Sequence, residues 1–317
     1  MPLSLEQYAA YLDSRHDLPW PAPPTIDSPK AKPHLKNLPG VRAVLWNVYG
    51  TLLAIPFGEL LFEHPQPFVM QMSLEKTIAE FKMWPSMSRK PGAPSEYMGY
   101  IYKTLLDEQR MLPSPGEKYP EVIAERVWEG VIKKLFQKEY TFDAGFYGSL
   151  NEYSKKVAYF FHASLQGTAC YPGADRALRA ILDAGLTQAL CADGQCFTVL
   201  QLQRGLDALG IGVRLDDVVP DDLRVLSCDV HGRKPSERLF RRALEGLEAR
   251  GISPNEVLHV GSRIDKAILP AKKLGLKTAL FAGDRASLAA TTEQMKDHGS
   301  KPDVLLTDLA QIADLVT

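Results

Sequence analysis

Cysteine is scarce in this chain: Cys170, Cys191, Cys196 and Cys228 are four among 317 residues. No two form a Cys-x-x-Cys pair, which argues against both a zinc site and a disulfide framework. An excess of one charge is also missing. Thirty-seven Lys and Arg oppose 38 Asp and Glu, a net charge of −1, so nothing in the total points to nucleic acid or an anionic membrane surface. No apolar run approaches the roughly 20 residues that cross a bilayer. The opening "MPLSLEQYAAYLDSR" has no cationic start followed by an apolar core, so it does not read as a secretory signal. A cytoplasmic, reduced protein is the expectation. What is present is ordinary globular material, 45% hydrophobic and 24% charged, in a length sufficient for two folded units.

Residues 1–40 predict a short helix and an arm. Ser4 and Gln7 have capping-box spacing, followed by Leu5, Tyr8 and Leu12 at helical intervals. Proline then recurs from Pro19 to Pro39 with little apolar content, which makes an extended segment, and Trp20 within it favours an arm packed on the rest of the chain. "VRAVLWNVYGTLL", from Val41 to Leu53, reads as a buried strand entering a turn around Gly50. The next stretch, 54–168, changes character. Leu74, Ile78 and Phe81 share one helical face, as do Ile123, Val127, Val131 and Leu135, and "NEYSKKVAYFFHASL" is a further helix. "SMSRKPGAPSEYMGY" between them reads as a loop, with a basic segment at Ser88–Gly92, and no strand is evident in the insertion. Strand–helix alternation resumes from 169 to 317, with "TQALC", "VRLDDVV", "EVLHV", "KTALF" and "DVLLT" as strands. This alternation implies a doubly wound parallel α/β sheet made of 41–53 and 169–317, interrupted by an all-helical unit.

In open α/β sheets ligands sit beyond the carboxyl ends of the strands. Those ends carry "NVYGT", "ADGQ", "GRKPS" and "GSRID". In that order the four resemble the four motifs of the haloacid dehalogenase superfamily, and the helical insertion falls where that family places its cap. The resemblance covers about 41–317 and implies a Rossmann-like core with a helical cap. It also implies a hydrolase site in which an Asp nucleophile, a second acid and Mg²⁺-holding carboxylates surround a phosphoryl group.

Position by position, this chain supplies other groups. Asn47 stands at the nucleophile, Tyr49 at the acid/base position and Ala192 at the Ser or Thr that holds the transferred group. Ser262 replaces a metal-binding Asp, and Ala267 stands where a later acid is expected. The metal-free dehalogenase branch also carries Tyr at the acid/base position. Gly50, Thr51 and Lys234 match the pattern and could serve an anion. Asn47 reads equally as a ligand-facing amide or as a cap on its own turn. Lys234 reads as an anion ligand or a solvated surface residue. Asp193 and Gly194 read as turn chemistry, with Asp193 alternatively a relocated acid, and Asp265 as a displaced acid, a possible metal ligand or a helix-start carboxylate. Cys191 reads as core. Cys196 lacks a local His to activate it, and His231 reads as a surface-loop residue. Tyr97, Tyr100 and Tyr102 read as partial core.

The expectation is therefore a degenerate site that binds a small anionic ligand or a protein partner between cap and core, with no cofactor and only a weak case for Mg²⁺. Two other readings stand beside it. One is a working hydrolase, phosphatase or metal-free dehalogenase-like, using a relocated acid. The other is a non-catalytic module that meets a protein partner through the arm or the cap.

Overall fold

The computed structural model describes residues 1–87, 92–112 and 115–316, so residues 88–91 of the basic segment lie outside the described residues. Two compact units are present. One comprises Met1–Ala22, Leu61–Ser114 and Val122–Gly167; the other comprises Pro23–Leu60, Pro115–Glu121 and Thr168–Thr317.

The second unit is built on a six-stranded parallel sheet. Its strands are β1 (Ala43–Trp46), β4 (Thr187–Ala192), β5 (Arg224–Leu226), β6 (Val257–Gly261), β7 (Lys277–Phe281) and β8 (Val304–Leu306). A separate two-stranded piece pairs β2 (Leu53–Ala54) with β3 (Ala169–Cys170) in antiparallel fashion. The order of the large sheet is β5-β4-β1-β6-β7-β8. It therefore grows outward from β1 in both directions, the doubly wound pattern whose ligand crevice opens at the carboxyl end beside the first strand. All of β1 and β6 is buried, as expected of strands covered on both faces. The arm closes one sheet edge. His34 exchanges two backbone hydrogen bonds with Leu305 of β8, 2.9 and 3.0 Å, pairing groups that would otherwise be open to another chain.

The helical unit holds Leu5–Asp13, Pro67–Glu80, Pro94–Met111, Ala124–Phe136, Ala144–Tyr147 and Leu150–Leu165. Its interior is aromatic: Tyr102, Trp128 and Phe161 meet with ring centroids 5.0–5.3 Å apart. Ser4 and Gln7 form the capping box their spacing predicts. Trp20 lies edge-on to Phe160 at 5.3 Å, so this part of the arm is packed.

Two sequence expectations are corrected, and two helices differ in type from the regular α form. The loop expected to reach Tyr100 ends earlier, because Pro94 opens the helix Pro94–Met111. Proline is well suited to a first helical turn, where its missing N–H has no partner to lose. That helix buries Tyr102 and leaves Tyr100 71% exposed. "VRLDDVV" holds a one-turn helix, Leu215–Val218, and the strand of this region is β5, nine residues further on. "KAILPAKKLG" begins as a π-helix, Ile264–Ile268, and becomes α-helical only at Leu269–Lys273. "DLAQIADLV" is 3-10 over Leu309–Leu315.

Candidate functional site

Asn47 directly follows β1, and its backbone N–H still donates to Val260 of β6, which fixes where its side chain starts. The amide Nδ2 donates to the Tyr49 carbonyl at 2.7 Å and to Thr51 Oγ1 at 3.2 Å. Its Oδ1 accepts from Lys234 Nζ at 2.9 Å. An ammonium has no acceptor to offer and a carbonyl has no donor, so this orientation of the amide is the only one that satisfies all three neighbours. Asn47 thus caps its own turn, one of the two readings of its sequence position, and its Oδ1 faces a cation. A carboxylate here would set an oxygen against the Tyr49 carbonyl.

Lys234 lies in the loop after β5 and is only 3% exposed, which excludes the solvated reading. Burial pushes its pKa down, with Cys191 and Asp193 working in the opposite direction. The ammonium sits 5.3 Å from the Phe240 ring and has Asn47 Oδ1 as its one hydrogen-bond acceptor among the described residues. Its backbone N–H donates to Asp193 Oδ1 at 2.7 Å. Burial pushes the Asp193 carboxyl up, opposed by the Lys234 charge and by that hydrogen bond. Asp193, expected mainly as turn chemistry, is therefore tied to the same site as Lys234.

These groups line a cavity of about 40 Å³ together with Glu59, Ser262, Arg263, Lys266 and Ala267. That is room for a few water-sized groups, well below the roughly 300 Å³ at which drug-sized ligands begin to fit. Glu59 accepts from Lys266 Nζ at 2.8 Å and lies 3.8 Å from Arg263, whose Nη2 donates to the Phe57 carbonyl. The Nε of Arg263 is buried with no hydrogen-bond partner among the described residues. Gly50 adopts φ 75°, and a Cβ there would lie 2.9 Å from the Gly58 carbonyl and 3.0 Å from Ser262 Oγ, so the turn closes this tightly only with glycine.

Several expected residues are not at the cavity. Tyr49 contributes to the wall, but its hydroxyl donates to Gln201 Oε1 at 2.6 Å and pairs with Thr198 Oγ1 at 3.1 Å. Burial raises its pKa further, so it is not positioned as an acid/base. Thr51 is buried and its hydroxyl accepts from Asn47, not from a ligand in the cavity. Ala192 is wholly buried and Gly194 is held through its N–H by Ser227 Oγ; neither lines the cavity. Asp265 is corrected more sharply: it is exposed and lines a different cavity, because the π-turn that starts at Ile264 carries it away from Asn47. Cys191 is core, its thiol pushed up to about 11 by burial, and His231 is exposed.

The donor set does not fit Mg²⁺, which needs several oxygen ligands with anionic character. Asn47 Oδ1 is committed to an ammonium, Ala267 has no donor, and Asp193 is the one carboxylate of the cavity not paired with a basic side chain. No group of three or more His, Cys, Asp or Glu suited to a metal occurs among the described residues. Arg263, Lys266 and Glu59 were not foreseen. The first two stand in the same "GSRIDK" run as Ser262 and were within reach of the motif, whereas nothing in the sequence near Glu59 marks it.

A family model described as HAD-hydrolase-like matches residues 231–312. The glyceraldehyde 3-phosphate phosphatase of Methanocaldococcus jannaschii is 30% identical over 146 residues, 46% of this chain, and the match spans only 56% of that protein's length. Among solved structures, the 2-haloacid dehalogenase of Pseudomonas syringae pv. Tomato DC3000 aligns with a TM-score of 0.50 at 16% identity. That alignment covers 86% of this chain and 96% of the other, a likeness of fold alone. Among the described residues no helix is long and apolar enough to cross a membrane. Sheet order and motif register agree with these matches: residues 231–312 are HAD-hydrolase-like in sequence, and the fold is similar to that of a haloacid dehalogenase.

Proposed function

We propose that this protein binds a small anion at the carboxyl end of β1 and does not perform the phosphoryl or halide chemistry of its relatives. One observation carries the reading. A buried ammonium, Lys234, faces the neutral amide of Asn47 where a carboxylate would compensate it, and two of its N–H donors have no acceptor among the described residues. The unpartnered Nε of Arg263 adds a second donor beside the same cavity. Three cations, Lys234, Arg263 and Lys266, line it against two carboxylates, Asp193 and Glu59. A phosphate-sized anion completes these hydrogen bonds and offsets the cost of keeping the ammonium charged away from water.

Nothing in this arrangement attacks such an anion. The amide oxygen of Asn47 is a poor nucleophile and already accepts from Lys234, and the Tyr49 hydroxyl is engaged elsewhere. Losing a nucleophile leaves only the residual catalysis of binding groups, orders of magnitude below an intact site.

A residual hydrolase is the second reading. Asp193 favours it, since it lines the cavity and burial raises the pKa of its carboxyl, the direction a proton-transfer role needs. Turnover of an aryl phosphate with Mg²⁺ separates the two, comparing wild type with Asn47→Asp and Asn47→Asp/Ser262→Asp. The binding reading expects silence in wild type and activity in the double variant. Wild-type turnover that is lost in Asp193→Ala would replace it with the hydrolase.

A further inference from the structure

A second cavity of the α/β unit, about 590 Å³, belongs to neither the Asn47 pocket nor its mechanism. Its size falls inside the roughly 300–1,000 Å³ range of small-molecule sites. One wall is the short segment 115–121, which belongs to the α/β unit although helices of the other unit flank it in sequence. Four attachments stitch this segment to the loop around Lys234 and its neighbour. The Arg233 N–H donates to the Tyr119 carbonyl at 2.9 Å, and Pro120 bridges to Gly232. Ser236 Oγ donates to Glu117, and Ser227 Oγ donates to Glu121 at 2.6 Å. The wall is thus built, not incidental.

The charges on the cavity are unevenly committed. Glu117 is occupied by Ser236 and by the Tyr119 N–H, and Glu237 is paired with Arg241 at 3.0 Å. Lys118, Arg238 and Lys273 line the same space and pair with no carboxylate among the described residues. Two acids of the lining keep an uncompensated charge: Asp265, and Glu117, whose donors are neutral. Three unpaired cations against these two carboxylates leave a net positive site that an anion with more than one acceptor oxygen would complete. Tyr119, 42% exposed on the wall, adds a flat face for a ring.

We infer that this cavity is a second binding site, for a phosphomonoester carried on a flat ring, the chemistry of a nucleoside monophosphate. Arg238 and Lys273 hold the phosphate, Lys118 closes on it from the opposite wall, and the ring lies against Tyr119. The site does not depend on the reading of the Asn47 pocket.

Calorimetric titration of the full chain with adenosine 5′-monophosphate tests this, with adenosine and inorganic phosphate as separate arms. Arg238→Glu and Lys273→Glu, both at exposed positions, should each weaken binding of the monophosphate by about tenfold or more, the loss expected of one charge-assisted hydrogen bond. Tyr119→Ala should bring it down to the affinity of inorganic phosphate, and Arg263→Met, in the other pocket, should leave it unchanged. Absence of binding at millimolar ligand overturns the proposal. So does adenosine binding as tightly as its monophosphate, or loss of binding in Arg263→Met with retention in Arg238→Glu, which would place the ligand beside Asn47.

Discussion

At the scale of single residues, the site turns on an exchange of one oxygen for one nitrogen. With Asn at 47, the group facing the Tyr49 carbonyl and Thr51 is a donor, and the turn is satisfied without metal or ligand. The consequence falls on Lys234, which keeps a buried charge offset in part by Asp193. Removing either member leaves the other buried without its opposite charge, which is costly, whereas removing both is cheaper than the two losses added. Lys234→Met and Asp193→Asn should therefore each lower stability, with the double variant recovering about 1–3 kcal/mol of the sum. A denaturant-unfolding cycle measures this, and strict additivity would show that the two groups do not sense one another.

At the scale of elements, two features of the backbone decide stability. Gly50 occupies the left-handed region in a turn where a Cβ would press on the Gly58 carbonyl and on Ser262. Gly50→Ala should cost about 2–4 kcal/mol through strain and displaced neighbours, and unaltered thermal unfolding would contradict the geometry. In the helical unit, His162 of Leu150–Leu165 is fully buried, between Phe62 and Phe161, and desolvation pushes its pKa down to about 3. The unfolded chain takes up this proton near pH 6.5, the folded chain only near pH 3, so the unfolded state binds more protons throughout that interval. Stability accordingly falls as pH drops from about 6.5 to 3, by on the order of 5 kcal/mol from this group. His259, buried in β6 with its pKa also lowered, adds a loss of the same sign. His162→Leu should flatten the acid limb of a Tm-versus-pH curve, and an unchanged slope would assign acid unfolding to other groups.

At the scale of the whole molecule, residues 1–22 are part of the helical unit. Tyr8 and Leu12 are buried there, and Trp20 packs on Phe160. Deleting 1–22 should lower the Tm of that unit by several degrees or make it aggregate, since it uncovers apolar surface at about 25 cal/mol per Å²; an unshifted transition would mean the arm is dispensable. The parallel sheet and the order of the four strand-end motifs were legible in the sequence because both follow from short-range pattern: buried apolar runs, turn residues and regular spacing. Helix Pro94–Met111 was half hidden, since Pro91, Gly92 and Pro94 read as punctuation when the last of them is a helix start. Asp265 misled for a related reason: spacing along a chain assumes a regular helix, and the π-turn after Arg263 shifts every side chain that follows. The sequence by itself determined the order of the four motifs and the absence of carboxylates at 47, 262 and 267, because residue identity and order are local properties. Only the tertiary structure decided that Tyr49 turns its hydroxyl to Gln201, that Lys234 is buried against Asn47, and that Glu59 and Arg263 join them. Those outcomes depend on which side chains from distant segments share one desolvated space, and no local pattern encodes that.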